Sequence, residues 1–488
     1  MAETVGTATP TEVGFRGERA GSAPLTWGQR AIWHAIRRTA PNDHYFNIGR
    51  VLPLADRGRP ASVAGTLDAL ARLMERHEAL RTRLVLSAED GESSQRLADT
   101  GSLPVTTVSA TGLPEAAAEA AALLDRLSAT RFDYAAEWPV RAALVTVGDR
   151  VTHAVLVLCH LAADGHAAEV LVRDLRLLVR RGSAGRPPAA TPLDLARDQH
   201  AEGGRRRGAA ALAHWEAGFR AAPPTMFPEP YAEPRTPRFW TGRIVSAALA
   251  RAVGAVAAAH RVSGSTVLLT ASAVLVAAGE GHRTAAVMPI VGNRTAGALR
   301  DLVSTLSQDG LFVLDLAEES GRADGEAAFT DLLPAAYRAA LRAYRAAVYD
   351  PVEWDALGER LCAEYGREVH PYCCFNDMRL VERAVPEGPP PTPQELAAEL
   401  TEARRRTSFG FPATQDRVAC RYCLHITEEG DALAVSLTAD TAYLPPEAIR
   451  AHLYAMEELI VASAAGSPPL LSDLGALPAT AEPEGERP

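Results

Sequence analysis

Residues 151–165, VTHAVLVLCHLAADG, constrain the fold of this 488-residue chain more than any other stretch. An apolar run ends in His160, a short turn follows, and Asp164-Gly165 open a segment with helical spacing. Period-two alternation puts His160 on one strand face with Ala154, Leu156 and Leu158. Cys159 falls on the other face with His153, Val155 and Val157. An imidazole at the end of a buried strand, beside a loop, is held rigidly while its tip reaches a cavity. With an ordinary pKa of about 6.5 it takes or gives a proton at neutral pH.

The pattern around this segment is that of an α/β protein in two similar halves. In the first half, 61–78 reads as a helix with Val63, Leu67, Leu70, Leu73 and Met74 on one face. Residues 83–86 and 141–158 are strand material, and 166–180 is a helix carrying Val170, Leu171, Leu175 and Leu178. Residues 182–192 are a turn-rich break, followed by a polar helical stretch to Trp215 and a Pro-rich connector at 221–237. In the second half, 246–260, 265–278 and 445–465 read as helices, 285–291 and 432–438 as strands, and 386–393 as a loop. The expected division is a disordered N-terminus over 1–21, an N-terminal lobe over 22–185 and a linker with a connecting helix over 186–237. A C-terminal lobe over 238–465 and a disordered tail over 466–488 complete it.

Composition narrows the function classes. Apolar residues make up 47% and charged residues 23%, as in a soluble globular protein. The chain has no lysine, so all 50 basic residues are arginine, and the net charge of −10 argues against general nucleic-acid binding. Arg37-Arg38, Arg180-Arg181 and Arg205-Arg206-Arg207 form local basic clusters. The six cysteines stand at 159, 362, 373, 374, 420 and 423. Cys420-x-x-Cys423 sits in the strand-like stretch 417–426, where a separation of three points the sulfurs to opposite faces; adjacent Cys373 and Cys374 diverge likewise. No second pair lies at zinc-ribbon spacing, so buried free thiols are expected and no metal. Residues 1–21 lack the apolar core of a signal peptide, and the apolar run 266–278 is too short to span a bilayer. A cytoplasmic enzyme without membrane association is the expectation.

Several motifs add a resemblance. Cys159-His160-Leu161-Ala162-Ala163-Asp164-Gly165 resembles the His-His-x-x-x-Asp-Gly motif of condensation domains from nonribosomal peptide synthetases and related acyltransferases, with Cys159 in place of the first His. Pro24-Leu25-Thr26-Trp27-Gly28-Gln29 and Trp33 resemble the family's opening P-L-S-x-x-Q-x-x-x-W motif. Arg76-His77-Glu78-Ala79-Leu80-Arg81-Thr82 is close to its R-H-E-x-L-R-T motif. Phe132-Asp133 with Pro139 and Arg141, His214-Trp215-Glu216, and Gly292-Asn293-Arg294 follow in the family's order. The likeness runs from Pro24 to Ala465.

The resemblance implies two chloramphenicol-acetyltransferase-like lobes in a V-shaped pseudo-dimer with a central tunnel. It implies a free-standing condensation enzyme that joins an acyl or aminoacyl thioester to an amine or hydroxyl acceptor, in a specialised-metabolite pathway. The donor rides on the phosphopantetheine of a partner acyl or peptidyl carrier protein, and no cofactor is bound. Carrier docking would use arginine-bearing surface, because such carriers tend to be acidic. His160 is the candidate for handling the acceptor's proton. Asp164 could orient His160 as in a triad, but the family suggests a structural carboxylate paired with Arg294. Cys159 is read as packing behind the strand, and Gly165 as letting backbone approach the acyl-pantetheine chain. Residues 304–309, STLSQD, stand where the family commonly has G-F-F-V-N-T, which reshapes the acceptor side. Ser307, Gln308 and Asn376 are candidate tunnel residues. The duplicated layout permits a monomer. Two other readings stay open: a coenzyme A-dependent acyltransferase, and a noncatalytic condensation-like module that recruits a tailoring enzyme.

Overall fold

Alternating apolar side chains send residues of one strand to both faces of a sheet, and each face then needs its own cover. The computed structural model describes residues 9–54, 61–86, 93–295, 297–317, 327–379 and 392–476. The chain forms two compact units, one of Met1–Arg207 with Gly292–Gln308, the other of Gly208–Val291 with Asp309–Pro488.

In the first unit the strands are β1 (Thr9–Arg16), β2 (Gly21–Pro24), β3 (Ile48–Pro53), β4 (Ala61–Ser62), β5 (Thr82–Val85), β6 (Ser94–Leu97), β7 (Thr100–Ala110), β8 (Val140–Val147) and β9 (Arg150–Leu158). The main sheet has the order β1-β7-β8-β9-β3, with β4 on β9; β2-β6-β5 make a smaller sheet. Helices α1 (Trp27–Thr39), α2 (Val63–Arg76), α3 (Leu113–Ser128) and α4 (Gly165–Arg181) cover the main sheet. Ala154, Leu156 and Leu158 of β9 pack with Leu70 and Leu73 of α2 and Leu171 and Leu175 of α4. Val155 packs with Ala116 and Ala120 of α3, while Val157 and Cys159 pack with Trp33 and Ile36 of α1. Strand β9 is therefore buried on both faces, and His160 leaves it from a rigid base.

The helix boundaries have local causes. Thr26 and Gln29 form a reciprocal capping box at the start of α1, which is the physical content of the opening motif. Ser62 caps α2 and Asp164 caps α4, whose far end stops at Gly182 in the left-handed region, φ 68°. The R-H-E motif clamps α2 to α4: Arg76 Nε donates to Asp174 Oδ2 at 2.7 Å, and His77 Nε2 lies 3.0 Å from the same oxygen. Burial alone would raise the Asp174 pKa, yet hydrogen bonds from His77, Arg173 and Arg76 hold it down at about 2.

Two terminal expectations need correction. Residues 9–16, assigned to a disordered N-terminus, form β1, antiparallel to β7 from Thr9↔Thr107 to Arg16↔Thr100. Val13 and Phe15 are buried, and Phe15 meets Trp138 edge-on at 5.2 Å. Two apolar residues at period two suffice for an edge strand when its partner supplies every hydrogen bond. At the other end, Leu471–Ala476 form a 3-10 turn with Leu474 buried, and Leu470 bridges to Ala328. Residues 477–488 lie outside the described residues. So does the expected loop 386–393, apart from Thr392 and Pro393, which start a helix.

The second unit holds a sheet of Thr284–Val291, Cys373–Asp377, Tyr422–Glu429, Ala432–Asp440, Phe239–Ser246 and Ser408–Gln415 in that spatial order. Helices Ala247–His260, Gly264–Gly279 and Pro446–Ala464 share its core through Leu249, Val253, Leu268, Val274, Leu453 and Met456. Gly264–Gly279 is apolar all round because it is buried all round. Among the described residues no single helix is long and apolar enough to cross a membrane.

The cysteine geometry also departs from expectation. The strand begins at Tyr422, so Cys420 precedes it and escapes the period-two rule. Cys374 and Cys423 are register partners on parallel strands, and the Cys420 sulfur turns toward both. All six thiols are free.

Candidate active site

The turn after β9 is built from backbone. Cys159 N–H donates to the Pro139 carbonyl at 3.0 Å, and the Cys159 carbonyl accepts from Ala162 and Ala163 at 2.9 and 3.3 Å. Buried Gln29, fixed by its own capping box, donates from Nε2 to the Leu161 carbonyl at 3.3 Å. His160 thus sits at the crest of a turn pinned from beneath.

Asp164 closes the turn and organises the segment Gly292–Gln308. It accepts from Ala167 N–H at 2.9 Å as the cap of α4. Arg294 meets it as a two-point fork, with both N–O distances 2.8 Å. Leu306 N–H, Ser307 N–H and Ser307 Oγ donate to Oδ2 at 3.0, 3.3 and 3.0 Å. Side-chain exposure is 2% for Asp164 and 8% for Arg294, so this is a buried ion pair with its lone pairs satisfied. Burial would raise the carboxyl's pKa, but the Arg294 charge and these donors hold it below 3.8. None of these bonds reaches the imidazole. The triad reading of Asp164 has no geometric support.

His160 is anchored instead by Thr305. The Thr305 hydroxyl donates to the His160 carbonyl, and its oxygen lies 3.3 Å from Nδ1. A hydroxyl has one proton, so an oxygen that donates to a carbonyl meets Nδ1 as an acceptor. This contact suits the tautomer with its proton on Nδ1 and its lone pair on Nε2. Burial lowers the His160 pKa below 6.5, opposed by the carbonyls of His160 and Ala163 and by the charge of Asp164. Phe46 packs edge-on to the ring at 6.3 Å.

His160, Asp164, Arg294 and Ser307 therefore come together in the first unit. Ser307 uses its hydroxyl on Asp164, and Gln308 is buried beside it in sequence. Asn376 belongs to the second unit, on Cys373–Asp377, opposite His425 in register. Cys159 is fully packed, and burial pushes its thiol up to about 12. Gly165 is exposed, and a Cβ placed on it would meet no protein atom within 4 Å. His166 Nε2 donates to the Arg300 carbonyl at 2.9 Å, and Arg173 reaches Asp301 at 2.7 Å, so α4 holds the Gly292–Gln308 segment at further points.

Two contributors went unread in the sequence. Thr305 lies in the stretch 304–309, which departs from the family's usual motif. Gly28 allows the closest approach in the site: a Cβ there would stand 2.3 Å from the Thr305 carbonyl oxygen. The glycine in the opening motif was the available signal.

The condensation-domain family model matches residues 19–352, and the chain belongs to that family. It is 30% identical over 296 residues to the phosphinothricin tripeptide synthetase PhsC of Streptomyces viridochromogenes, covering 58% of this chain and 26% of that protein. It is 29% identical over 385 residues to the isonitrile lipopeptide synthase of Mycobacterium tuberculosis, covering 72% of this chain and 14% of that protein. The chain thus spans a minor part of these longer relatives. Among solved structures, the condensation domain that mediates chain release from the enacyloxin polyketide synthase matches with a TM-score of 0.66 at 19% identity, over 97% of this chain and 86% of that one. The shared fold is the two-lobed mixed α/β fold of condensation domains. The family's chemistry is amide- or ester-forming condensation.

Proposed function

We propose that this chain transfers an acyl or aminoacyl group from the phosphopantetheine thioester of a carrier protein to an amine or hydroxyl acceptor, His160 handling the acceptor's proton. The observation that carries this reading is the hydrogen bonding of His160 to Thr305, which suits a tautomer with its proton on Nδ1 and a basic Nε2. The acceptor's nitrogen or oxygen attacks the thioester carbonyl carbon as Nε2 takes its proton. The carbon–sulfur bond then breaks, and the proton passes to the departing thiolate, which leaves as the pantetheine thiol. A thioester leaves readily, so alignment and proton handling are the enzyme's main tasks.

Three further features fit. The depressed pKa of His160 keeps it unprotonated at neutral pH. The raised pKa of Cys159 removes the neighbouring thiol as a nucleophile. The open space at Gly165 leaves room for a pantetheine chain against the start of α4. A cytoplasmic monomer that needs no cofactor of its own is part of this reading.

The deciding experiment mixes the protein with acyl-loaded carrier proteins and amine or hydroxyl acceptors, and follows loss of the acyl group by intact-mass spectrometry. Transfer by the wild-type chain and none by His160→Ala is the expected result. Equal transfer by both would remove His160 from the mechanism. No transfer by either, with carrier binding intact, would favour the recruitment reading.

A further inference from the structure

Three of the six cysteines converge at one place in the second unit, far in sequence from His160. The sulfurs of Cys374, Cys420 and Cys423 all lie within 4.8 Å of one another. Cys374 and Cys423 face each other across two parallel strands, and Cys420 reaches them from the irregular approach to the second strand. Three sulfurs bound to one zinc at about 2.3 Å sit roughly 3.8 Å apart, so the observed spread needs only a small contraction. Cys374 and Cys420 are partly exposed, which gives an ion a way in. The charge of Asp309 also acts on Cys374 and Cys420, adding an anionic neighbour to the thiols.

We propose that Cys374, Cys420 and Cys423 form a binding site for a thiophilic d10 cation, zinc in the first instance, independent of the condensation chemistry. Soft thiolates select such ions over magnesium or calcium. Three protein sulfurs leave one coordination position for water or a carboxylate. The ion replaces three thiol protons, forms three sulfur–metal bonds and changes no oxidation state. It ties the Cys373–Asp377 strand to the entry of Tyr422–Glu429, adding to their backbone pairing and shared core.

The test titrates Co2+ into the reduced, metal-stripped full chain and follows the near-ultraviolet thiolate-to-cobalt charge-transfer band. A band that saturates at one ion per chain and is displaced by Zn2+ is the expected result. Cys374→Ser, Cys420→Ser and Cys423→Ser each lose it, while Cys362→Ser keeps it. Should a variant fail to fold, wild-type protein still decides the matter. Stoichiometric Zn2+ should slow alkylation of these three cysteines, and not of Cys362, by about tenfold or more, because a metal-bound sulfur has its nucleophilic electron pair engaged. No saturable band, a band that survives in any of the three variants, or no protection by Zn2+ overturns the proposal. A Cys420–Cys423 disulfide in freshly isolated protein would overturn it too. None of these results depends on acyl transfer, so the site can fail while the condensation reading stands.

Discussion

The hydroxyl of Thr305 donates to the backbone carbonyl of His160, and its oxygen stands 3.3 Å from Nδ1 of the same residue. One short side chain thus holds both the backbone and the ring of the proposed base. Thr305→Val keeps the shape and removes the hydroxyl. It should lower kcat about tenfold, the worth of one net hydrogen bond of about 1.4 kcal/mol. Thr305→Ser should restore most of the activity. Full activity in the valine variant would show that the ring is held by something else.

The pH dependence of transfer follows from the same ring. Because burial depresses the His160 pKa, the basic form prevails at neutral pH, and kcat/KM should fall only as pH drops through a value below 6.5. An acid limb centred at or above 6.5 would contradict this.

Asp164→Ala should cost about 3–5 kcal/mol, because it leaves Arg294 buried without its partner. Loss of soluble protein, or a lower midpoint in urea unfolding, is the expected observation. A variant as stable as wild type but inactive would mean that Asp164 serves catalysis directly.

Acid should unfold the first unit by a specific route. Asp164 and Asp174 have folded pKa values below their ordinary 3.8, Asp174 at about 2. Their stabilisation is fully present above pH 3.8 and is lost as pH falls through the folded values. His77 and His160 act with the same sign from 6.5 downward, since burial keeps them neutral while the unfolded chain takes up protons. Unfolding midpoints measured from pH 7 to pH 2 should therefore decline throughout, and Asp174→Asn should flatten the lower part. A level profile would refute the assignment.

The two glycines should separate fold from binding. Gly28→Ala pushes a methyl against the Thr305 carbonyl and should cost about 1–3 kcal/mol along with activity. Gly165→Val points into open space, so thermal stability should change little while KM for the acyl-carrier donor rises. A valine variant with unchanged KM would place the pantetheine chain elsewhere.

Much of the site was legible because its chemistry depends on side chains. His160 at a strand end, Asp164 at a helix start and Arg294 after a glycine turn each leave a mark in the sequence. Thr305 left none, since its role depends on a contact between residues 145 positions apart. The divergent stretch 304–309 still holds Asp164. Leu306 and Ser307 reach Asp164 through backbone N–H groups, which any residue except proline provides. Strand β1 was missed because two apolar residues at period two barely rise above the polar background. The cysteine cluster was missed because period-two reasoning assumed a strand that starts two residues too late to include Cys420.

Arg294 reaches Asp164 across 130 residues of chain, within a unit whose other members end at Arg207. A ribosome adding roughly 5–20 residues per second needs about 6 to 26 s to supply that guanidinium after the carboxylate has been made. Throughout that interval the nascent first unit carries an unneutralised acid at the start of α4. A polypeptide that stops at Arg207 should therefore be treated as unfinished by chaperones and proteases.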